Sequence, residues 1–139
     1  YNHTSRISSE IIAAQVINVK KKEEKSLEAT HKLKEQAILM KEAILKGKLD
    51  EIGKILDFGW QNKKQIADKI TNPEIDKIYT KALNAGATGG KISGAGGGGF
   101  MLFYCPGNTR HKVIEALKEL NGEFRSYHFT KNGLTSWTI

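Results

Sequence analysis

Residues 89–100 carry the pattern in this sequence with the clearest chemical potential. The run reads Gly-Gly-Lys-Ile-Ser-Gly-Ala-Gly-Gly-Gly-Gly-Phe, and five of the six residues from Gly94 to Gly99 are glycine. Glycine loses more backbone entropy on folding than any other residue, so such a cluster in an ordered chain needs a reason. Consecutive backbone N–H groups with no Cβ atoms in the way form concave sites for anions. The run therefore predicts a loop that binds a phosphate group.

Two common phosphate-binding loops do not fit this run. A dinucleotide-binding fingerprint places a helix after its glycines, whereas here the apolar residues 100–105 follow and predict a strand. A Walker loop requires Ser or Thr after its lysine, but Ile92 follows Lys91. The companion motifs of protein kinases are also missing from the sequence. A glycine-rich turn without a ligand stays open as an interpretation, although four consecutive glycines exceed what a turn requires.

The elements that must position this loop follow from hydrophobic periodicity. Apolar residues at helical spacing between positions 7 and 60 predict three helices, the first of them capped by Ser5. Asn72 and Pro73 predict the start of a fourth helix, and residues 113–120 predict a fifth. Strands are predicted at residues 87–93, 100–105, 124–131 and 134–139, with a tight turn at Asn132-Gly133. This order predicts an α+β domain in which several helices pack on one face of an antiparallel sheet.

The bulk properties indicate a single folded domain. The chain has 139 residues, of which 39% are apolar and 27% charged, so it is long enough and apolar enough for one core. No apolar run approaches the ~20 residues of a membrane helix, so no membrane association is predicted. A single cysteine, Cys105, excludes an internal disulfide and is typical of a cytoplasmic protein. Because the chain begins at Tyr1 and lacks an initiator Met, we expect it to be part of a longer protein.

The net charge of +7 favours a solvated surface over a nucleic-acid site. Lysines are mixed with glutamates, as in residues 20–25, and no aromatic residues are interleaved as stacking platforms. A positive field would also attract a phosphorylated substrate. The four histidines have no Cys or carboxylate partners at ligand spacing, so no metal site is predicted within the chain.

Residues 91–100, Lys-Ile-Ser-Gly-Ala-Gly-Gly-Gly-Gly-Phe, resemble the third conserved motif of the GHMP small-molecule kinases. Supporting matches lie at residues 1–6, 60–64, 85–91 and 133–137, and they are most similar to the C-terminal part of the bacterial heptose 7-phosphate kinases. The resemblance implies a ferredoxin-like α+β fold, with residues 1–139 forming the C-terminal domain of a kinase. It further implies transfer of the γ-phosphate of ATP, with Mg²⁺, to a hydroxyl of a sugar phosphate.

The resemblance also implies which residues contact the nucleotide and the substrate. The expected phosphate and substrate loop consists of Ser93, Gly94, Ala95, Gly96, Gly97, Gly98 and Gly99. Further candidates for substrate binding are Lys91, Thr4, Arg6, Lys63 and Lys64. No catalytic residue is expected in this chain, because the family's nucleotide loop and the N-terminal half with its catalytic carboxylate do not occur in it. That N-terminal half is the expected partner, and the chain alone is expected to be inactive.

Each of these residues also has a purely structural interpretation. Ser5 can cap a helix and leave Arg6 exposed, and Trp60 fits the apolar stripe of a helix better than a stacking site. For Lys91 a position on the surface and a position in the site are both open, because strand alternation does not define which face of the strand is buried.

Three other functions stay open: a GHMP kinase for a free sugar, a polyol or a mevalonate-type alcohol; a non-catalytic module that binds a small anion; and a basic nucleic-acid-binding domain.

Overall fold

Five helices and two strands form the regular structure of the described part of the chain. The structure is a computed structural model and describes residues 8–21, 23–120, 122–128, 130–133 and 135–136. The elements are α1 (Ser8–Lys20), α2 (Glu24–Leu45), α3 (Glu51–Lys63), α4 (Pro73–Asn84), β1 (Gly89–Ile92), β2 (Met101–Tyr104) and α5 (Thr109–Leu117). The α+β class expected from the sequence is confirmed. Ser5, Thr4 and Arg6, which were predicted to cap a helix or to bind substrate, lie outside the described residues.

The start of α4 matches its sequence signal. The Asn72 side chain accepts a hydrogen bond of 2.9 Å from the backbone N–H of Ile75, and Pro73 is the first helical residue. A side-chain oxygen at this position satisfies an N–H group that has no partner within the helix. The helix therefore begins where the Asn-Pro pair predicts.

The two strands pair antiparallel and hold the glycine loop between them. Their register places Gly89 opposite Tyr104 and Ile92 opposite Met101. One further backbone hydrogen bond, 2.9 Å from Ser93 N–H to the Phe100 carbonyl oxygen, closes the pair at the base of the loop. The predicted order of strand, glycine loop and strand is thus confirmed.

The predicted second pair of strands is wrong for the residues that the structure describes. Residues 124–128, 130–131 and 135–136 form no strand, and the sheet of the described region has two strands. Phe124 is 48% exposed and Tyr127 is 61% exposed. A strand's register is specified when alternate side chains enter a core, and these aromatic side chains enter none. The period-two pattern of this segment therefore does not produce a strand.

Helix α3 packs closely along β1 because glycines occupy the contact. A Cβ atom on Gly89 would lie 1.8 Å from the carbonyl oxygen of Gly53, so the two backbones touch. Farther along α3, Trp60 is 1% exposed, and its ring centroid lies 6.2 Å from that of Tyr79. The prediction that Trp60 packs in the core is confirmed. Helix, strand and aromatic core thus form one support beneath the loop.

The hydroxyl group of Tyr79 joins three elements. It donates a hydrogen bond of 2.7 Å to Asp57 Oδ1 on α3 and accepts one of 3.1 Å from the Gly90 N–H on β1. The aromatic ring of Tyr79, on α4, also lies 5.7 Å, centroid to centroid, from that of Phe103 on β2. A buried phenol needs such partners, and here they fix α3, α4 and β1 relative to one another.

We expect the phenol of Tyr79 to ionise late in an alkaline titration of the folded protein. Burial first, and then the hydrogen bond and negative charge of Asp57, raise the pKa of Tyr79 above its usual value. In the unfolded chain this phenol ionises near pH ~10. Its contribution to stability is therefore fully present below that pH and is lost as the pH rises through the folded pKa. Phenolate absorbance should show a step at high pH that Tyr79→Phe removes. The control variant Tyr127→Phe, which changes an exposed tyrosine, should leave this step in place. A step at high pH that survives Tyr79→Phe would contradict the assignment.

Candidate functional site

The glycine loop, residues 93–99, leaves β1 and returns to β2 through backbone conformations that favour glycine. The φ angles of Gly94 and Gly97 are +89° and +75°. L-amino acids with a Cβ atom rarely adopt this left-handed region. The loop shape itself thus requires glycine at these positions, before any ligand is considered.

The middle of the loop is anchored to the segment between α3 and α4. The Gly97 N–H donates a hydrogen bond of 2.7 Å to the Ile70 carbonyl oxygen. A Cβ atom on Gly96 would lie 2.8 Å from that same oxygen. The Gly97 amide is consequently engaged within the fold, so the amides available to an anion are fewer than the glycine count implies.

The two ends of the loop, of which we call the end at Gly94 the entrance, are open, in contrast to the anchored middle. A Cβ atom added to Gly94, or to Gly99, would meet nothing within 4 Å. Ser93, beside Gly94, is exposed. Because the described residues leave this side open, a ligand or another part of a protein can approach the backbone at Gly94 without steric hindrance.

The side chain of Lys63 reaches this entrance. The Nζ atom of Lys63, at the end of α3, donates a hydrogen bond to the carbonyl oxygen of Gly94. Burial, followed by the positive charge of Lys91 on β1, lowers the pKa of Lys63. The structure therefore places Lys63, one of the lysines that were predicted to bind substrate, in contact with the loop.

Lys64 has a different environment from that of Lys63. Its Nζ atom lies 3.8 Å from Asp76 Oδ1 and 6.0 Å from the centroid of the Trp60 ring. Neighbouring residues at a helix end do not share a face, so the two side chains diverge. The carboxylate of Asp76 compensates the charge of Lys64, and the structure separates Lys64 from the loop entrance.

No group of three or more His, Cys, Asp or Glu side chains in the described part of the chain is arranged to hold a metal ion. None of the described helices has the length and apolar character needed to cross a bilayer.

Sequence similarity assigns the chain to a family. Residues 40–123 match the family described as GHMP kinases C terminal, and this segment contains the glycine loop, Lys63 and Lys91. The chain belongs to this family of kinase C-terminal domains.

Individual relatives agree with that assignment, and a solved structure shares the fold. The chain is 42% identical over 117 residues to D-glycero-alpha-D-manno-heptose 7-phosphate kinase of Campylobacter jejuni subsp. jejuni, a match that covers 84% of this chain and 34% of the relative. It is 35% identical over 112 residues to mevalonate kinase of Pyrococcus abyssi, covering 78% of this chain and 32% of the relative. The fold matches the crystal structure of L. major mevalonate kinase in complex with R-mevalonate with a TM-score of 0.77 at 19% identity, over 85% of this chain and 36% of that one. The chain thus spans about a third of the length of these curated relatives.

Sequence reasoning missed two residues that support the site. In the sequence, Tyr79 is one member of an apolar helical stripe. Its hydrogen bonding to other elements has a single sequence signal, which is that a buried phenol requires a hydrogen-bond partner. Ile70 acts through its carbonyl oxygen, which no side-chain pattern reveals. The residue before it, Lys69, has a φ of +68°, which marks the turn that presents this oxygen but gives no sequence signal.

Proposed function

We propose that this chain is the C-terminal domain of a kinase that transfers the γ-phosphate of ATP to a hydroxyl group of a sugar phosphate of the heptose 7-phosphate type. The observation that carries the proposal is that the family match contains the whole glycine loop together with Lys63 and Lys91. The sequence identity of 42% to a heptose 7-phosphate kinase supports the choice of acceptor.

The open entrance of the loop supports the proposed chemistry. Phosphoryl transfer depends mainly on positioning the reactants and stabilising charge, because the protein forms few covalent bonds in it. A backbone without Cβ atoms at Gly94 and Gly99 lets phosphate oxygens approach closely, and the ammonium group of Lys63 provides positive charge beside Gly94. In this proposal the chain binds and orients phosphate groups, while the catalytic carboxylate belongs to the N-terminal half.

Magnesium is proposed as the companion of ATP, and when bound it would neutralise part of the charge of the phosphate groups. The described residues do not fit a magnesium site, since they provide no cluster of carboxylate ligands. We therefore assign no step of the reaction in this chain to the metal.

A second candidate acceptor is a mevalonate-type alcohol. The observation that favours it is the identity of 35% to mevalonate kinase of Pyrococcus abyssi over 78% of this chain. The two candidates differ in charge, because a sugar phosphate carries a phosphate dianion and mevalonate carries a carboxylate.

The test is an acceptor comparison with the complete polypeptide that contains these residues. Formation of ADP from ATP and Mg²⁺ is measured with D-glycero-D-manno-heptose 7-phosphate, with the same heptose lacking phosphate, and with mevalonate. We expect turnover with the heptose 7-phosphate and at least about 100-fold lower kcat/KM with the others, since charged groups left unpaired in a site are costly. Preferred turnover of mevalonate would favour the second candidate, and no turnover with any acceptor would contradict both.

A further inference from the structure

We propose that Ser26 and Asn18 are positioning residues for the glycine loop. They lie on α2 and α1, and both side chains bind the carbonyl oxygen of Ile66. From Ile66 a short stretch, residues 66–70, which we call the anchor segment, leads to the contact with the Gly97 amide. This inference rests on the proposed function, which it deepens by naming side chains that keep the phosphate-binding loop in place from a distance.

The first end of the anchor segment is bound by two helices. The hydroxyl group of Ser26 donates a hydrogen bond of 3.1 Å to the Ile66 carbonyl oxygen, and the side-chain amide of Asn18 donates one of 2.9 Å to the same oxygen. A hydroxyl group inside a helix commonly bonds to the carbonyl oxygen four residues back, as that of Thr30 does here to Ser26. Ser26 is 1% exposed, and a buried hydroxyl group is costly without a partner. Its partner is a carbonyl oxygen 40 positions away, so the bond joins α2 to the anchor segment.

The other end of the anchor segment is bound to the loop. The Ile70 carbonyl oxygen accepts the hydrogen bond of 2.7 Å from the Gly97 N–H. The side chains of Ile66, Ala67 and Ile70 are all buried in the same core cluster. Five residues thus connect two bound carbonyl oxygens, and a displacement at the first end is transmitted over a short distance to the second.

The backbone within the anchor segment shows why both ends must be fixed. Lys69 has a φ of +68°, in the left-handed region that residues with a Cβ atom rarely adopt. Such a conformation persists only where the surrounding contacts over-determine it. The two bonds to Ile66 fix the chain before Lys69, and the bond between Ile70 and Gly97 fixes the chain after it. Without the first pair of bonds Lys69 can relax, and the Ile70 carbonyl oxygen then moves.

The loop has no room to absorb a movement of Ile70. A Cβ atom on Gly96 would lie 2.8 Å from the Ile70 carbonyl oxygen and 2.9 Å from its Cγ2 atom. A shift of Ile70 towards the loop therefore displaces the loop backbone, and a shift away from it releases the Gly97 amide. Groups that stabilise charge in phosphoryl transfer must be fixed in advance, and small displacements of them have large effects on rate.

The direct test is amide hydrogen exchange in the complete polypeptide, measured by NMR. The variants are Ser26→Ala, Asn18→Ala and the double variant, and Thr30→Ala is the matched control because its hydroxyl bonds within α2. We expect the Gly97 amide to exchange about fivefold faster in each single variant and faster still in the double variant, as the loss of one hydrogen bond implies. The Thr88 amide, which is bonded at the outer end of the strand pair, should keep its rate in every variant, and Gly97 should keep its rate in Thr30→Ala.

Activity provides the second measurement. We expect kcat with ATP and the acceptor to fall about fivefold or more in Ser26→Ala and further in the double variant, at a temperature where all variants are folded. Thr30→Ala should retain the kcat of the parent, because the bond that it loses does not lead to the loop.

Each contrary outcome overturns the proposal. Equal acceleration of exchange at Gly97 and Thr88 would show that the two side chains stabilise only the fold as a whole. Unchanged exchange at Gly97 in the double variant would show that the anchor segment does not depend on them, and faster exchange with the parent's kcat would show that the reaction does not depend on the anchor. If the double variant does not fold, as judged by circular dichroism, the single variants decide. A parent polypeptide that phosphorylates no acceptor contradicts the proposed function instead, and the exchange rates then still decide whether Ser26 and Asn18 position the loop.

Discussion

Gly94→Ala is expected to remove most phosphoryl transfer from the complete polypeptide while leaving it folded. The residue has a φ of +89°, so a Cβ atom costs about 1–2 kcal/mol in backbone strain. Nothing lies within 4 Å of that Cβ, so no clash with the described residues adds to this cost. The new methyl group would, however, occupy the open side that we propose for a phosphate. We expect kcat/KM to fall about 100-fold or more, because small displacements of reacting groups have large effects on rate.

Gly47→Ala provides a matched control for this experiment. Gly47 follows α2, has a φ of +69°, and likewise has nothing within 4 Å of an added Cβ. The two variants should therefore lose similar free energies of unfolding in urea, while Gly47→Ala retains the parent's kcat/KM for ATP and acceptor. Equal activities of the two variants would mean that the open side of Gly94 does not face the reacting phosphates.

Gly89→Ala is expected to lower stability more than any surface substitution in this chain. The added Cβ would lie 1.8 Å from the Gly53 carbonyl oxygen and 2.9 Å from the Asp57 backbone nitrogen. Backbone atoms cannot rotate away as a side chain can, so α3 and β1 must separate. We expect a loss at or above the upper end of the about 1–3 kcal/mol that is usual for overpacked cores. Urea unfolding followed by circular dichroism measures this loss.

Gly133→Ala is the control for Gly89→Ala. An added Cβ at Gly133 meets nothing within 4 Å, so its effect on stability should stay within about 0.5 kcal/mol. A Gly89→Ala protein as stable as the parent would show that α3 and β1 do not approach as closely as the structure indicates.

Local sequence signals predicted the elements that depend on local interactions. Asn72 and Pro73 marked the start of α4 because a cap needs only residues close in sequence. The glycine run marked a loop between two strands because its backbone conformation belongs to the loop itself. The strand predicted around Phe124 and Tyr127 is wrong for a related reason. The alternation there is also a local pattern, but it lacks the buried face that specifies a strand.

The candidate site depended on contacts that are distant in sequence. The lysines at positions 63 and 64 are chemically identical, and only the packing of α3 decides that one reaches Gly94 while the other pairs with Asp76. The engagement of the Gly97 amide with Ile70 is equally invisible in a pattern of side chains. Sequence alone could therefore identify the loop and the candidate lysines, but it could not show which of the lysines reaches the loop.

The contact between Gly53 and Gly89 also determines how long α3 must be. From that contact, α3 runs ten residues to Lys63, about 15 Å at helical rise, and β1 with the start of the loop runs five residues to Gly94, about 17 Å at strand rise. Helix and strand thus cover nearly equal distances from their contact, and the side chain of Lys63 spans the gap between the end of α3 and Gly94. One residue inserted into this stretch of α3 would turn Lys63 by about 100° around the helix axis and direct it away from the loop. In this fold α3 acts as a spacer of fixed length, so the number of residues between Gly53 and Lys63 is as much a part of the site as the lysine itself.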